Sequence, residues 1–205
     1  VKRAGIDAER VEDVILGTVL GAGTAGLNVA RNAALAGGLP VTAGAQTIDR
    51  QCSSGLMAIA TAARQIMVEG MDVVVAGGQD NISALQNQYL KWVQEEADEN
   101  VVQKQEHAYM GMLLTAEHVA RKYGISREVQ DTYALQSQQR TAAAQAAGRL
   151  DAEIVPITAL QKLVDKESRE VSYREVTLDR DEGNRADTTL ESLQSLGPVI
   201  EGGCI

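Results

Sequence analysis

At 205 residues, 44% of them hydrophobic, the chain has enough apolar material for a core in one or two domains. No apolar run approaches the ~18 residues that a membrane-spanning helix needs, and a net charge of −9 gives no attraction to polyphosphate, which argues against nucleic acid as a partner. The two cysteines, Cys52 and Cys204, with no signal-peptide pattern, exclude a disulfide framework and point to a reducing, cytoplasmic setting, or an organelle matrix if a targeting signal preceded Val1.

Val1 is not a methionine, and Val1 to Ala4 with Gly5 behind looks like the last turn of a helix and its glycine stop, so the chain is expected to be a piece of a longer protein. Asp7 is placed to cap a single turn through Val11, and residues 13–20 read as a buried strand. Gly21, Gly23 and Gly26 then fit the G-x-G-x-x-G spacing after a strand and ahead of a helix-like run at 28–36. Glycines there could bring backbone close to a pyrophosphate, although the acidic residue expected about twenty positions on is only loosely met by Asp49.

A second extended stretch, 43–48, carries the β-formers Thr47 and Ile48 and stops at Cys52. A helix follows at once, with Leu56, Ile59, Ala60, Ala63, Ile66 and Met67 recurring at three- and four-residue steps as one buried face. A thiol on that turn sits where unpaired helix N–H groups converge, which favours the thiolate and aims donors at an oxyanion. Cys52 is therefore read as a nucleophile; burial in the core, common for free cysteine, is the competing reading. Gly70 stops the helix and 71–76 is a further apolar strand. Strands and helices alternate, so a mostly parallel sheet with helices packed on it follows.

From 85 to 106 the composition shifts to glutamine and acidic residues around the one tryptophan, Trp92, without sustained periodicity, as if the chain left the sheet for an inserted region. A helix opens near Met112 and ends at Gly124; Ser126 caps the longest helix, 127–147, which closes at Gly148. The runs 159–164 and 170–178 flank a charged loop and could form an antiparallel pair. His107 and His118 are not spaced with each other or with a cysteine as metal ligands would be, so no metal is expected.

Several of these segments, in order, resemble the thiolase family. Cys52-Ser53-Ser54-Gly55-Leu56 is similar to its C-x-S-G-L nucleophile segment, and Ala76-Gly77-Gly78 to the A-G-G strand end about two dozen residues on. Gly26-Leu27-Asn28-Val29-Ala30-Arg31 resembles its G-x-N-x-A-R segment and accounts for the glycines better than a dinucleotide loop does. Gly77 to Ser83 is similar to G-G-x-E-x-x-S, with Asp80 in the glutamate's place. Met112 with Thr115-Ala116-Glu117 resembles M-G-x-T-A-E, Leu113 standing for the glycine, while Met110-Gly111 offers a competing register. Asp181 to Arg185 looks like the segment whose arginine lies against the adenine of coenzyme A.

The resemblance implies an α/β thiolase-type layered fold: helices on a mixed, mostly parallel sheet at 1–84, its first strand missing, and an inserted α+β loop domain at 85–205, without the C-terminal half. It implies thiolytic cleavage of a 3-ketoacyl-CoA, or the reverse condensation of acetyl-CoA, through an acyl group on Cys52. On this reading the backbone N–H of Cys52 forms half of the oxyanion site, Met112 is the acyl-pocket methionine and Arg185 the adenine contact. Coenzyme A is a substrate and no cofactor is expected. The strand ahead of Cys52 would pair with its copy in a homodimer, and a homotetramer is typical of the family. The family's activating histidine and second cysteine lie in G-H-P and C-x-G segments absent from these residues; His118 and Cys204 are assigned neither role, and the chain alone is expected to turn over negligibly. Open alternatives are a condensing enzyme acting on carrier-protein thioesters, a nicotinamide-dependent dehydrogenase using Gly21 to Gly26, and a non-catalytic module in which Cys52 is merely packed.

Overall fold

The computed structural model describes all residues from Val1 to Ile205, which form two compact units, Val1–Tyr109 and Met110–Ile205. In the first, Asp7 caps a short turn by accepting from Glu9 N–H at 3.1 Å, and the chain enters strand β1 (Asp13–Gly17). Helix α1 (Val29–Ala36) leads to strand β2 (Gly44–Ile48), helix α2 (Ser54–Arg64) to strand β3 (Val74–Gly78). The sheet order is β2-β1-β3 and both pairings are parallel, with Leu16 opposite Thr47 on one side and Gly77 on the other. The parallel sheet expected from the alternation of strands and helices is therefore present.

Because successive side chains on a strand point to opposite faces, β1 serves two cores at once. Val14 faces Val11, Ala30 and Ala34, with Leu16, Ala45 and Val75 around them. Ile15, fully buried, packs with Ala58 and Ala62 beside Ile48, Val74 and Ala76. Burying that one isoleucine contributes about 1.5–3 kcal/mol.

The face of α2 that is buried differs from the expected one. Ser54, Ala58 and Ala62 are 3%, 0% and 6% exposed, whereas Leu56, Ile59 and Met67 are 71%, 54% and 81% exposed. At about 100° per residue these two sets lie on opposite sides of the helix. The sheet selects the small-residue side because Ile15, Ile48 and Val74 fill the space beneath α2 and the strand ends at Gly17 and Gly78 meet its first turn, leaving room on the helix side only for serine, glycine and alanine. Beyond Arg64 the helix widens into a π-type turn, Gln65–Glu69, stopped by left-handed Gly70. Gln65 there donates to the buried Asp13 carboxylate at 2.7 Å.

Residues after β3 are helical, contrary to the aperiodic reading of 85–106: α3 (Ile82–Glu95) and α4 (Glu99–Lys104), the latter capped by Asp98. Neither buries a residue fully, but Leu85, Tyr89 and Val93, half-buried at four-residue steps on one side of α3, are an apolar stripe that the aperiodic reading missed.

In the second unit, α5 (Met112–Tyr123) ends at left-handed Gly124, and Ser126 caps α6 (Arg127–Ala146) by accepting from Val129 N–H. Strands β4 (Ile157–Val164) and β5 (Val171–Leu178) form the expected antiparallel hairpin, and Thr189 caps the short α7 (Leu190–Gln194). Arg127 pairs with the buried Asp131 at 2.7 Å and donates to the carbonyls of Leu193 and Leu196, tying α6 to the end of α7.

Candidate active site

The turn that carries Cys52 is built on close backbone approach. A Cβ on Gly17, the last residue of β1, would lie 2.3 Å from the Ser54 carbonyl carbon and 2.5 Å from Gly55 N; one on Gly78, the last of β3, would meet Gly55 Cα at 3.3 Å. Two strands thus end against the first turn of α2, at the carboxyl ends of a parallel sheet, where open α/β sheets place their ligands. Cys52 precedes that turn and is exposed.

Between Ile48 and Ser54 the chain reverses through Gln51, which holds φ at 50°, a left-handed conformation uncommon for a residue with a Cβ. Side chains stabilise the reversal. Asp49 accepts from Gln51 N–H at 2.9 Å. Ser54 Oγ accepts from Arg50 N–H at 2.8 Å and donates to the Gln51 carbonyl at 2.6 Å, while Ser53 Oγ donates to the Arg50 carbonyl at 2.8 Å. Met57 is the first residue of the turn whose N–H closes the helical ladder, onto Ser53; those of Gly55 and Leu56 have no intrahelical acceptor. Such an arrangement puts an exposed thiol and free backbone donors at the same helix mouth.

Around this turn the strand ends are laced together. Thr18 N–H donates to the Ile48 carbonyl and Gln79 N–H to that of Gly17, both at 3.0 Å. Asp80 Oδ1 accepts from Thr18 Oγ1, Val19 N–H and Leu20 N–H at 2.8, 3.0 and 2.8 Å. Burial pushes the Asp80 carboxyl pKa up, but the donors from Leu20, Thr18 and Val19 together outweigh it and hold the group below the usual carboxylate range.

The Gly21 to Gly26 loop is no dinucleotide cradle. It forms a single tight turn at Gly23–Ala25, and α1 starts only at Val29. The mouth of α1 is filled by Asn28, whose Oδ1 accepts from Arg31 N–H and Thr47 Oγ1 and whose amide donates to the Ala45 carbonyl. Arg31 donates to the carbonyls of Val41 and Ala43. The G-x-N-x-A-R residues hence fasten α1 to β2 and its approach, a job invisible without the fold.

The other candidates lie in the second unit. Met112 is the first residue of α5 and is 78% exposed. Arg185 is exposed, its N–H held by Gln138 Oε1 at 2.9 Å; Asn184 before it also donates to Gln138. The neighbours of Arg185, Asn184 and Ala186, line a cavity of about 280 Å³ with Gln145, Arg180, Asp181 and Glu182. Within this unit Met112 and Arg185 share no lining. Sequence reading passed over Glu117: its buried carboxylate accepts from Cys204 and Ile205 N–H, both at 2.8 Å, and a Cβ on Gly203 would lie 2.2 Å from its Oε1. The Ile205 N–H is the largest influence and, with Cys204 and Arg121, holds the Glu117 pKa low against desolvation. The match to T-A-E marked the residue but not its partners, which lie 87 and 88 positions away.

Residues 1–204 match the family model described as "Thiolase, N-terminal domain". The acetyl-CoA acetyltransferase of Cupriavidus necator is 39% identical over 98% of this chain and 51% of its own length. The 3-ketoacyl-CoA thiolase of Bacillus subtilis is 37% identical over 98% of this chain and 50% of its own. A crystal structure of the Bacillus anthracis acetyl-CoA acetyltransferase superposes with a TM-score of 0.78 at 35% identity, covering all of this chain and 52% of that one. The chain thus spans about half the length of the relatives it matches.

Proposed function

Because the chain belongs to the thiolase family, we propose that it supplies the nucleophile of an acyl-CoA C-acyltransferase, with Cys52 as the acyl acceptor. The observation that carries this is the exposed Cys52 sulfur on a left-handed turn at the mouth of α2. The Cys52 thiolate attacks the keto carbon of a 3-ketoacyl-CoA; the bond between C2 and C3 breaks, and acetyl-CoA leaves as an enolate that takes up a proton. The acyl group stays on sulfur as a thioester until the thiol of a second coenzyme A attacks it, releasing acyl-CoA and returning the thiolate. Run backwards, the steps join two acetyl-CoA molecules. Backbone donors at the helix mouth, the Cys52 N–H among them, stabilise the oxyanion.

Coenzyme A is substrate here, and its adenine would rest by Arg185 at the rim of the Gln145–Asp181 cavity. Met112 lines the acyl pocket in this reading. His107 and His118 are both exposed, and neither is used as base, so the 205-residue chain is expected to accept an acyl group without sustained turnover. β2 is an edge strand, which supports pairing with its copy across a two-fold axis.

Mass spectrometry after exposure to acetyl-CoA or acetoacetyl-CoA tests the proposal. An acetyl adduct on Cys52, lost in Cys52→Ser, is the expected result; a wild-type chain left unmodified would sink it. A condensing enzyme for carrier-protein thioesters gives the same adduct, and is told apart by faster acylation from an acyl-carrier protein than from acyl-CoA.

A further inference from the structure

Asp80 lies two residues past the end of β3, and its hydrogen bonds go to the three residues that follow the adjacent end of the parallel strand β1. One oxygen, Oδ1, takes donors from three successive residues, Thr18, Val19 and Leu20, and Oδ2 takes a second, longer one from Val19 N–H at 3.3 Å. Thr18 is 2% exposed and also receives Gln79 Nε2 on its hydroxyl at 3.5 Å. The residue before it, Gly17, is the floor on which Ser54 and Gly55 rest. A carboxylate cradled by successive backbone donors is a rigid joint, since loss of the anion leaves those donors facing one another.

We infer that Asp80 is a positioning residue for the nucleophile: by clasping residues 18–20 it fixes Gly17 beneath the first turn of α2 and so sets where Cys52 and the helix-mouth donors face. It touches no substrate. The inference rests on Cys52 being the acyl acceptor, but its test does not need an acyl group.

The test is the rate of Cys52 alkylation by iodoacetamide in the folded chain, read by peptide mass spectrometry with Cys204 as internal reference. Asp80→Ala is expected to slow Cys52 about fivefold, as the helix-mouth field turns away from the sulfur, and to leave Cys204 unchanged. Asp80→Glu, which keeps a carboxylate, recovers most of the rate; Asp80→Asn, whose amide oxygen can accept the same bonds without the charge, falls between. A purely structural Asp80 would loosen the first unit as a whole, seen as lost amide-exchange protection across β1 and β3 with Cys52 alkylated faster, not slower; that outcome overturns the inference, as does an Asp80→Ala chain with wild-type circular dichroism and a wild-type Cys52 rate. Should Asp80→Ala fail to fold, Thr18→Val removes one donor; about a twofold slowing confined to Cys52 supports the clasp and no change overturns it. Should the Asp80 variants show this contrast while the wild-type chain takes no acetyl group from acetyl-CoA, the clasp is retained and the acyl-acceptor reading is lost.

Discussion

The β1 strand and the β4–β5 hairpin contain similar proportions of apolar side chains, three in five and nine in sixteen, and meet opposite fates. In β1, Val14 and Ile15 are 4% and 0% exposed; in the hairpin, Leu160 is 71% exposed and Tyr173 62%. Both are correctly paired strands, so hydrogen bonding does not separate them. What differs is company: β1 lies between two strands and under α1 and α2, while β4 and β5 have each other. A lone two-stranded ribbon gains little from its own side chains. The contrast places sensitivity to substitution at strand ends under α2 and tolerance in the hairpin.

The sharpest way to break that contrast is Gly17→Ala. The added methyl would sit 2.3–2.5 Å from backbone atoms of Ser54 and Gly55, which cannot rotate away. The expected loss is about 3 kcal/mol in urea unfolding, with Cys52 displaced as α2 is pushed off the sheet. A loss below ~1 kcal/mol would mean that the strand and helix are free to part. Next in size is Arg31→Met, which keeps the side-chain bulk and removes the charged donor to Val41 and Ala43. About 2 kcal/mol should be lost, together with amide protection in β2, by hydrogen exchange.

Acid sharpens the comparison further, because each region has one carboxyl held below its usual range. For Asp80 desolvation opposes and the donors from Leu20, Thr18 and Val19, just past β1, prevail; for Asp165, in the hairpin turn, N–H donors from Ser168 and Glu167 act, with the Ser168 hydroxyl. In both cases the unfolded chain takes up its proton first as pH falls. The stabilisation is complete above the ordinary aspartate value of about 3.9 and is lost as pH drops through the lower folded value. Asp80 joins residues about 60 apart in sequence, whereas Asp165 joins neighbours. Acid titration followed by NMR should therefore disturb β1 and β3 as a unit but only the hairpin's own loop, and Asp80→Asn should flatten the acid limb of the first unit alone.

How much of this was legible beforehand follows the same division. The strand–helix alternation, the caps at Asp7 and Ser126, the glycine stops and the strand-to-helix turn at Cys52 were all local patterns, and local patterns survive into the fold. Which side of α2 is buried was not legible: Leu56, Ile59, Ala63 and Met67 make a convincing stripe, and only the closeness of Gly17 and Gly78 explains why Ala58 and Ala62 face the sheet instead. The roles of Asp80 and Glu117 were hidden for a related reason. Each side chain bonds backbone N–H groups far along the chain, and a backbone amide leaves no mark in the residue letters.

The smallest expected effect is the one that tests the tolerant half of the contrast. Leu160→Ser removes an apolar side chain from β4 that is 71% exposed and lies opposite Glu175. With little area to return to water and no cavity to open, the change in stability of the 205-residue chain should stay within ~0.5 kcal/mol, measured by urea unfolding at low protein concentration. Val14→Ser in β1 is the matched control, losing a side chain of similar character that is 4% exposed. If Leu160→Ser instead costs more than ~1 kcal/mol and the cost grows with protein concentration, the hairpin is covered in solution by another copy, and its exposure in the single chain reflects a surface made for contact rather than for water.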